Sequence, residues 1–308
     1  MPGSRALTAT PARRVAYRVL GPALPYLLHL RPLEWPIVTA HVTLGWLLAG
    51  GVRPADGRAL LGLGAWVLAL NGATLALNSA FDRDDGDVAY LRQPPPVPAG
   101  LAWFAGALML AGGVLTWSLP IAYRLVYFAC VVLSLLYSVP PFRLKAVGGA
   151  DWVINMLGFG VATPFAGWAI SGRPFGGPLA LVIWAFCPLF AALYPLTQLY
   201  QMDEDLARGD HTLVLRIGTR RSLGLALAAT GLSFGLLFGA AWQSGWRGGP
   251  DWPRWGALAA ALLAWLVVLG PWFRDGRRWS SAEHQRGMYH ALAAWALTDV
   301  AVLLGWLA

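Results

Sequence analysis

The sequence predicts an all-α, polytopic membrane protein with about nine transmembrane helices. Three observations carry that reading. The chain of 308 residues is 57% hydrophobic and 12% charged, about half the charge of an ordinary soluble domain. Charge-free apolar stretches recur along its length, and about 20 such residues cross a bilayer. The arginines gather on alternate loops. This composition excludes a disordered chain and most soluble enzymes. A net charge of +8 on so hydrophobic a chain points to a membrane and argues against a nucleic-acid partner.

The apolar windows are 35–52, 59–81, 101–119, 125–142, 152–172, 174–202, 222–246, 255–273 and 287–308; only the last contains an acid, Asp299. Ser118-Leu119-Pro120 separates the third from the fourth. Segment 15–33 is too interrupted, by Arg18, Pro22 and Pro25, to span; it reads as a surface helix on a cytoplasmic N-terminal segment, 1–33. Arg13-Arg14 reads as a basic flank and not as a twin-arginine signal. Cys130 and Cys187 lie inside apolar runs, show no metal spacing, and read as small core residues.

Counting Lys and Arg on alternate sides gives 17 against 6. The rule that positive loops stay inside places the N-terminus and the even loops in the cytoplasm of a cell-membrane protein. The acids are equally uneven. Asp82, Asp84, Asp85 and Asp87 follow the second window, and Asp203, Glu204, Asp205 and Asp210 follow the sixth, so eight of fifteen carboxylates occupy two short segments on the same side.

These segments carry the chemistry. In Asn78-Ser79-Ala80-Phe81-Asp82-Arg83-Asp84-Asp85, residues Asn78, Asp82 and Asp85 fall at i, i+4 and i+7 and share one helical face if the helix continues. Hard oxygen donors of this kind suit Mg²⁺, which keeps several waters and bridges to substrate phosphates. A solvated acidic loop is the plainer alternative, but it leaves Asn78 idle inside an apolar span. In the second segment Tyr194, Gln198, Gln201 and Asp205 fall on one face, a polar stripe of the sort that lines a substrate path. Between the two lies Tyr137-Ser138-Val139-Pro140-Pro141-Phe142-Arg143-Leu144-Lys145. Pro-Pro stops a helix, and Arg143 and Lys145 follow at the cytoplasmic edge. They read either as positive-inside anchors or, beside two acidic clusters, as grips for a phosphorylated substrate.

In this order and topology the chain resembles the UbiA family of intramembrane prenyltransferases over nearly its whole length. Further pieces carry the likeness: Leu30-Arg31-Pro32-Leu33-Glu34-Trp35-Pro36 before the first helix, Arg92 with Pro98-x-Gly100, and Asp205-x-x-x-Gly209-Asp210-x-Thr212-Leu213-x-x-Arg216-x-Gly218. The resemblance implies one helical bundle, residues 34–308, around a central cavity open to lipid. It implies two Mg²⁺ ions, an isoprenyl diphosphate as donor, and a lipophilic aromatic or isoprenoid acceptor. Carried onto this sequence, the metal ligands are Asn78, Asp82, Asp85, Gln201 and Asp205. The diphosphate is gripped by Arg83, Arg92, Arg143 and Lys145. Tyr137, Ser138, Tyr194, Gln198 and Asp203 support the cavity.

The chain departs from the family pattern in both motifs. The first motif of the family reads Asn-Asp-x-x-Asp-x-x-x-Asp; here Ser79 stands for its first Asp and Gly86 for its last, leaving Asp85 and Asp87 as candidates. Gln198 and Gln201 occupy Asp positions of the second motif, and only Asp205 matches. A terpene cyclase on the same scaffold, or a non-catalytic isoprenoid or quinone binder, are the competing readings. Elsewhere, His41 is expected as a buried, hydrogen-bonded histidine. Asp299 either pairs within the bundle or lines the cavity. Glu283-His284-Gln285-Arg286 reads as a solvated loop.

Overall fold

The structure is a computed structural model that describes residues 11–50, 57–82, 91 and 93–307. Its described elements are helical: α1 (Pro11–Leu20), α2 (Ala23–His29), α3 (Trp35–Gly50), α4 (Gly57–Asp82), α5 (Leu101–Leu115), α6 (Ile121–Ser138), α7 (Ala150–Ile170), α8 (Gly177–Leu199), α9 (Met202–Arg208), α10 (Leu213–Ile217), α11 (Thr219–Gln243), α12 (Trp252–Asp275) and α13 (Ser281–Leu307). Eight of them, or eight of these with their short flanking turns, are long and apolar enough to cross a membrane. The first apolar window corresponds to α3, whose 16 described residues fall short of that length. The count of about nine therefore differs from the structure by this one helix, which packs inside the bundle like the others. The chain is a multi-pass helical membrane protein.

Glycine brings α3 and α7 together. A Cβ on Gly45 would stand 1.8 Å from the Pro164 carbonyl oxygen, and one on Gly167 would stand 1.8 Å from that of Val42. Small residues let helix backbones touch, the usual way membrane helices associate without a hydrophobic driving force. Pro164 shapes α7 as well. It has no N–H to offer the preceding turn, and the helix widens to a π-helical segment over Met156–Ala162 just before it. A second π-helical segment, Ala65–Gly72, interrupts α4. Thr163 joins the two: its hydroxyl donates to the Gly158 carbonyl at 2.9 Å and accepts from Trp66 Nε1 at 3.3 Å.

The largest core joins α8, α11, α12 and α13, with Phe186, Leu189 and Leu196 of α8 and Trp265 and Trp272 of α12 fully buried. Trp103, Trp117, Trp242 and Trp252 are exposed near helix ends, as interfacial anchors should be. The segment expected as a solvated loop, Glu283 to Arg286, is instead the first turns of α13. His284 is buried and accepts from Trp272 Nε1 at 2.9 Å. The apolar partner for that face comes from α12, which local sequence does not show. Cys130 is buried and Cys187 half-buried, both as free thiols.

Candidate active site

Three helix ends meet at one end of the bundle. Helix α4 ends at Asp82, α6 at Ser138 and α8 at Leu199. After α6, the Pro140-Pro141 step and Arg143, in the left-handed region at φ 36°, fold the chain back toward the bundle. After α9, Gly209 adopts φ 73°, and the Asp210 amide reaches back to the Asp205 carbonyl at 3.0 Å. This is the turn glycine makes at a helix end, and it returns Asp210 toward Asp205. The two loops join. His211 donates its amide to the Ala146 carbonyl at 3.3 Å, and Arg216 donates to the Gly148 carbonyl at 2.7 Å.

Asp151, fully buried at the start of α7, ties these segments together. One carboxylate oxygen accepts the Gly149 amide at 2.7 Å. The other accepts Gln198 Nε2 at 2.7 Å and the Leu213 amide at 3.2 Å. Gln198 in turn accepts the Val214 amide at 3.4 Å. Sequence reasoning missed Asp151. Its signal was an acid at the start of an apolar window in a chain with few acids.

Beneath this cap lies a cavity of about 300 Å³. Its polar lining includes Asn78, Asp82, Lys145, Gln201, Asp205 and Asp210; deeper walls come from Phe159, Phe190, Tyr194, Leu292 and Trp295. Eight of the residues singled out from sequence line it: Asn78, Asp82, Tyr137, Lys145, Tyr194, Gln198, Gln201 and Asp205. The stripe from Tyr194 to Asp205 does not lie on one continuous helix. It breaks at Tyr200-Gln201, between α8 and α9, yet all four of its polar members reach the same cavity. Tyr137 and Tyr194 share a hydroxyl–hydroxyl hydrogen bond at 3.0 Å.

Cations and acids are interleaved at the mouth. Lys145, itself buried, donates to Asn78 Oδ1 at 2.6 Å and pairs with Asp82. Arg143 does not line the cavity; it spans its rim, donating to Asp82 at 3.1 Å and Asp210 at 2.9 Å. Burial opposes its charge, but the bonds and fields of Asp82 and Asp210 outweigh that and push its pKa above the ordinary arginine value. Arg31 donates to the Ser79 hydroxyl at 3.3 Å, beside Asn78 on α4, and Arg31 and buried Glu34 also line the cavity. Neither Arg31 nor Glu34 was assigned a role from sequence, although both stand in the Leu30–Pro36 segment.

Two expectations fail on geometry. Asp203 is exposed and does not line the cavity, because it lies on the outward side of α9 while Asp205 turns in. Ser138 is fully buried at the end of α6, outside the cavity lining, and its hydroxyl has no hydrogen-bond partner. Asp85, Asp87, Arg83 and Arg92 lie outside the described residues. Among the described residues, no three His, Cys, Asp or Glu side chains are grouped as a metal cluster. The donors present are nonetheless hard oxygens, amide and carboxylate, and Mg²⁺ needs only one or two protein carboxylates when phosphate and water complete its shell. Asn78 with Asp82, and Gln201 with Asp205, fit that requirement.

The fold and site thus define a polytopic helical membrane protein with a charged mouth over an aromatic cavity. The sequence matches the UbiA prenyltransferase family over residues 37–293, and the chain belongs to that family. No curated protein matches it. Among solved structures, that of digeranylgeranylglyceryl phosphate synthase is 14% identical with a TM-score of 0.71, covering 92% of this chain and 98% of the other. A UbiA homologue from Archaeoglobus fulgidus bound to DMAPP and Mg²⁺ is 19% identical with a TM-score of 0.63, covering 89% and 99%. Its structure bound to GPP and Mg²⁺ is 18% identical with a TM-score of 0.64, covering 89% and 99%.

Proposed function

We propose that this prenyltransferase moves an isoprenyl group from an isoprenyl diphosphate to a lipophilic acceptor inside the membrane, with Mg²⁺ as cofactor. The observation that carries the reading is the division of one cavity into a mouth of paired acids and cations and an interior of aromatic rings. An isoprenyl diphosphate has the same division. The Archaeoglobus fulgidus homologue, solved with DMAPP or GPP and Mg²⁺, supports it.

Asn78, Asp82, Gln201 and Asp205 would hold the metal, together with Asp85 of the first motif. When bound, Mg²⁺ neutralises the diphosphate and makes it a better leaving group. Lys145 and Arg143 supply further positive charge, with Arg83 and Arg92 proposed alongside them. Lys145 now shares its ammonium with Asn78 and Asp82; a diphosphate gives it an alternative anion. Phe159 and Phe190 stack at 5.2 Å, and Phe190 continues to Tyr194 at 6.3 Å and to Trp295 at 5.8 Å. Such faces steady an allylic cation, and the bundle keeps it from water. Gln198 is taken up by Asp151 and Val214, so its role is to hold the cap.

The 17-to-6 charge bias supports a cell-membrane protein with this mouth in the cytoplasm, and residues 34–308 are proposed as the single transmembrane unit. Mass spectrometry of lipids from cells with and without the gene tests the activity. A prenylated lipid present only with the gene is expected. A cyclised hydrocarbon in its place identifies a terpene cyclase, and unchanged lipids would refute transfer.

A further inference from the structure

A second polar site lies in the same cavity, away from the charged mouth. His41 sits on α3, six residues or about 9 Å of helix rise beyond Trp35. It is 5% exposed and lines the cavity. Its Nδ1 stands 3.8 Å from Asp299 Oδ1 of α13. The backbone carbonyls of Phe159 and Gly160 in α7 approach the ring, but neither imidazole nitrogen makes a well-formed hydrogen bond, and neither does Asp299 Oδ1. The histidine is buried, as expected from sequence. Groups of this kind inside a bilayer are costly and mark function, and a buried polar atom left unpaired in a native fold asks for a reason.

Aromatic rings pack around the imidazole. Phe186 meets it edge-on at 4.7 Å and Trp295 at 5.2 Å. The carboxylate of Asp299 stands on the Nδ1 side. A carboxylate behind a histidine orients the ring and stabilises the imidazolium once it forms. Catalytic hydrogen bonds that are long in a free enzyme commonly tighten when substrate binds.

Building on the prenyl-transfer reading, we propose that His41, positioned by Asp299, takes up the proton that the acceptor loses as its new bond forms. In that step the C–O bond of the donor breaks, and diphosphate leaves with the electron pair. An electron pair of the acceptor, from an O–H oxygen or an aromatic ring carbon, forms the bond to the allylic carbon. The acceptor's proton passes to an imidazole nitrogen, and the ring later returns it to water. The acceptor class is thus one with a removable proton, a hydroxyl or an aromatic C–H. His41 is a catalytic residue in this step; Asp299 is a positioning residue.

The test counts two products from one reaction. Membranes containing the protein receive labelled geranyl diphosphate, Mg²⁺ and lipid extract from the producing cells. Released diphosphate and labelled lipid are measured together. Their ratio counts only molecules that ionise the donor, so a loss of folded protein does not move it. His41→Gln should lower lipid product per diphosphate about 100-fold or more, the scale of a lost general base, with prenyl alcohol rising to match. Asp299→Asn should lower it in the same direction, and Asp299→Glu should restore part of it. Added imidazole should raise the ratio in His41→Ala. An unchanged ratio in His41→Gln overturns the proposal. No diphosphate release from the unaltered protein would instead refute prenyl transfer itself.

Discussion

Removing Asp82 is expected to damage the fold before any question of catalysis arises. Its carboxylate holds two cations: Lys145, whose side chain is 8% exposed, and Arg143, whose side chain is 31% exposed. In Asp82→Ala, Arg143 keeps Asp210, and its exposure limits the loss to about 1 kcal/mol. Lys145 keeps its bond to the Asn78 amide oxygen. Breaking a buried pair by removing one partner costs about 3–5 kcal/mol; the other interactions Lys145 keeps make that an upper bound, and the Lys145 contribution still dominates. Replacing both partners, Asp82→Leu with Lys145→Met, removes the buried pair as a whole and should be milder than Asp82→Ala. The assay is denaturant unfolding in detergent micelles, without Mg²⁺, followed by tryptophan fluorescence. A coupling of about 2 kcal/mol or more between the two positions is expected. Asp82→Ala within about 1 kcal/mol of the parent, or strictly additive effects, would refute the buried pair.

Further outcomes follow from the packing and the charges. Gly45→Ala must push α3 from the Pro164 carbonyl; overpacking costs about 1–3 kcal/mol, read as a lower unfolding midpoint. Burial raises the Glu34 pKa to about 7 against a smaller opposing pull from Arg31. The folded state therefore binds its proton more tightly than the unfolded state. Stability is full below the ordinary glutamate pKa and falls as pH rises through 7, by about 3 kcal/mol; Glu34→Gln should remove that slope in unfolding measured from pH 4 to 8. Gln201→Asp adds a carboxylate to the cavity wall. Mg²⁺ with geranyl diphosphate should raise its Tm by more than it raises the parent's. A Tm drop that the pair does not relieve would place Gln201 in packing alone.

The membrane class was legible because charge is so scarce that its few clusters stand out, and periodicity is unnecessary when whole windows are apolar. Asn78, Asp82, Gln201 and Asp205 were legible because a polar group inside or beside such a window needs a purpose. What sequence could not show depends on partners far along the chain. Asp151 reads as a helix-end acid until Gln198 and Leu213 arrive. His41 and Asp299 are 258 positions apart and meet only because α13 packs on α3. Asp203, expected to support the cavity, faces outward because the break at Tyr200-Gln201 sets the orientation of α9.

Diphosphate release from geranyl diphosphate by the purified protein tests the central claim most directly. With Mg²⁺ the protein should release diphosphate, and chelation should abolish it. Asp82→Ala should lower release about 10–100-fold or more per folded molecule, judged from the effect of even outer partners of a metal. Release at equal rates with and without Mg²⁺, or by Asp82→Ala and the parent alike, would contradict the assignment of this cavity as a metal-dependent diphosphate site.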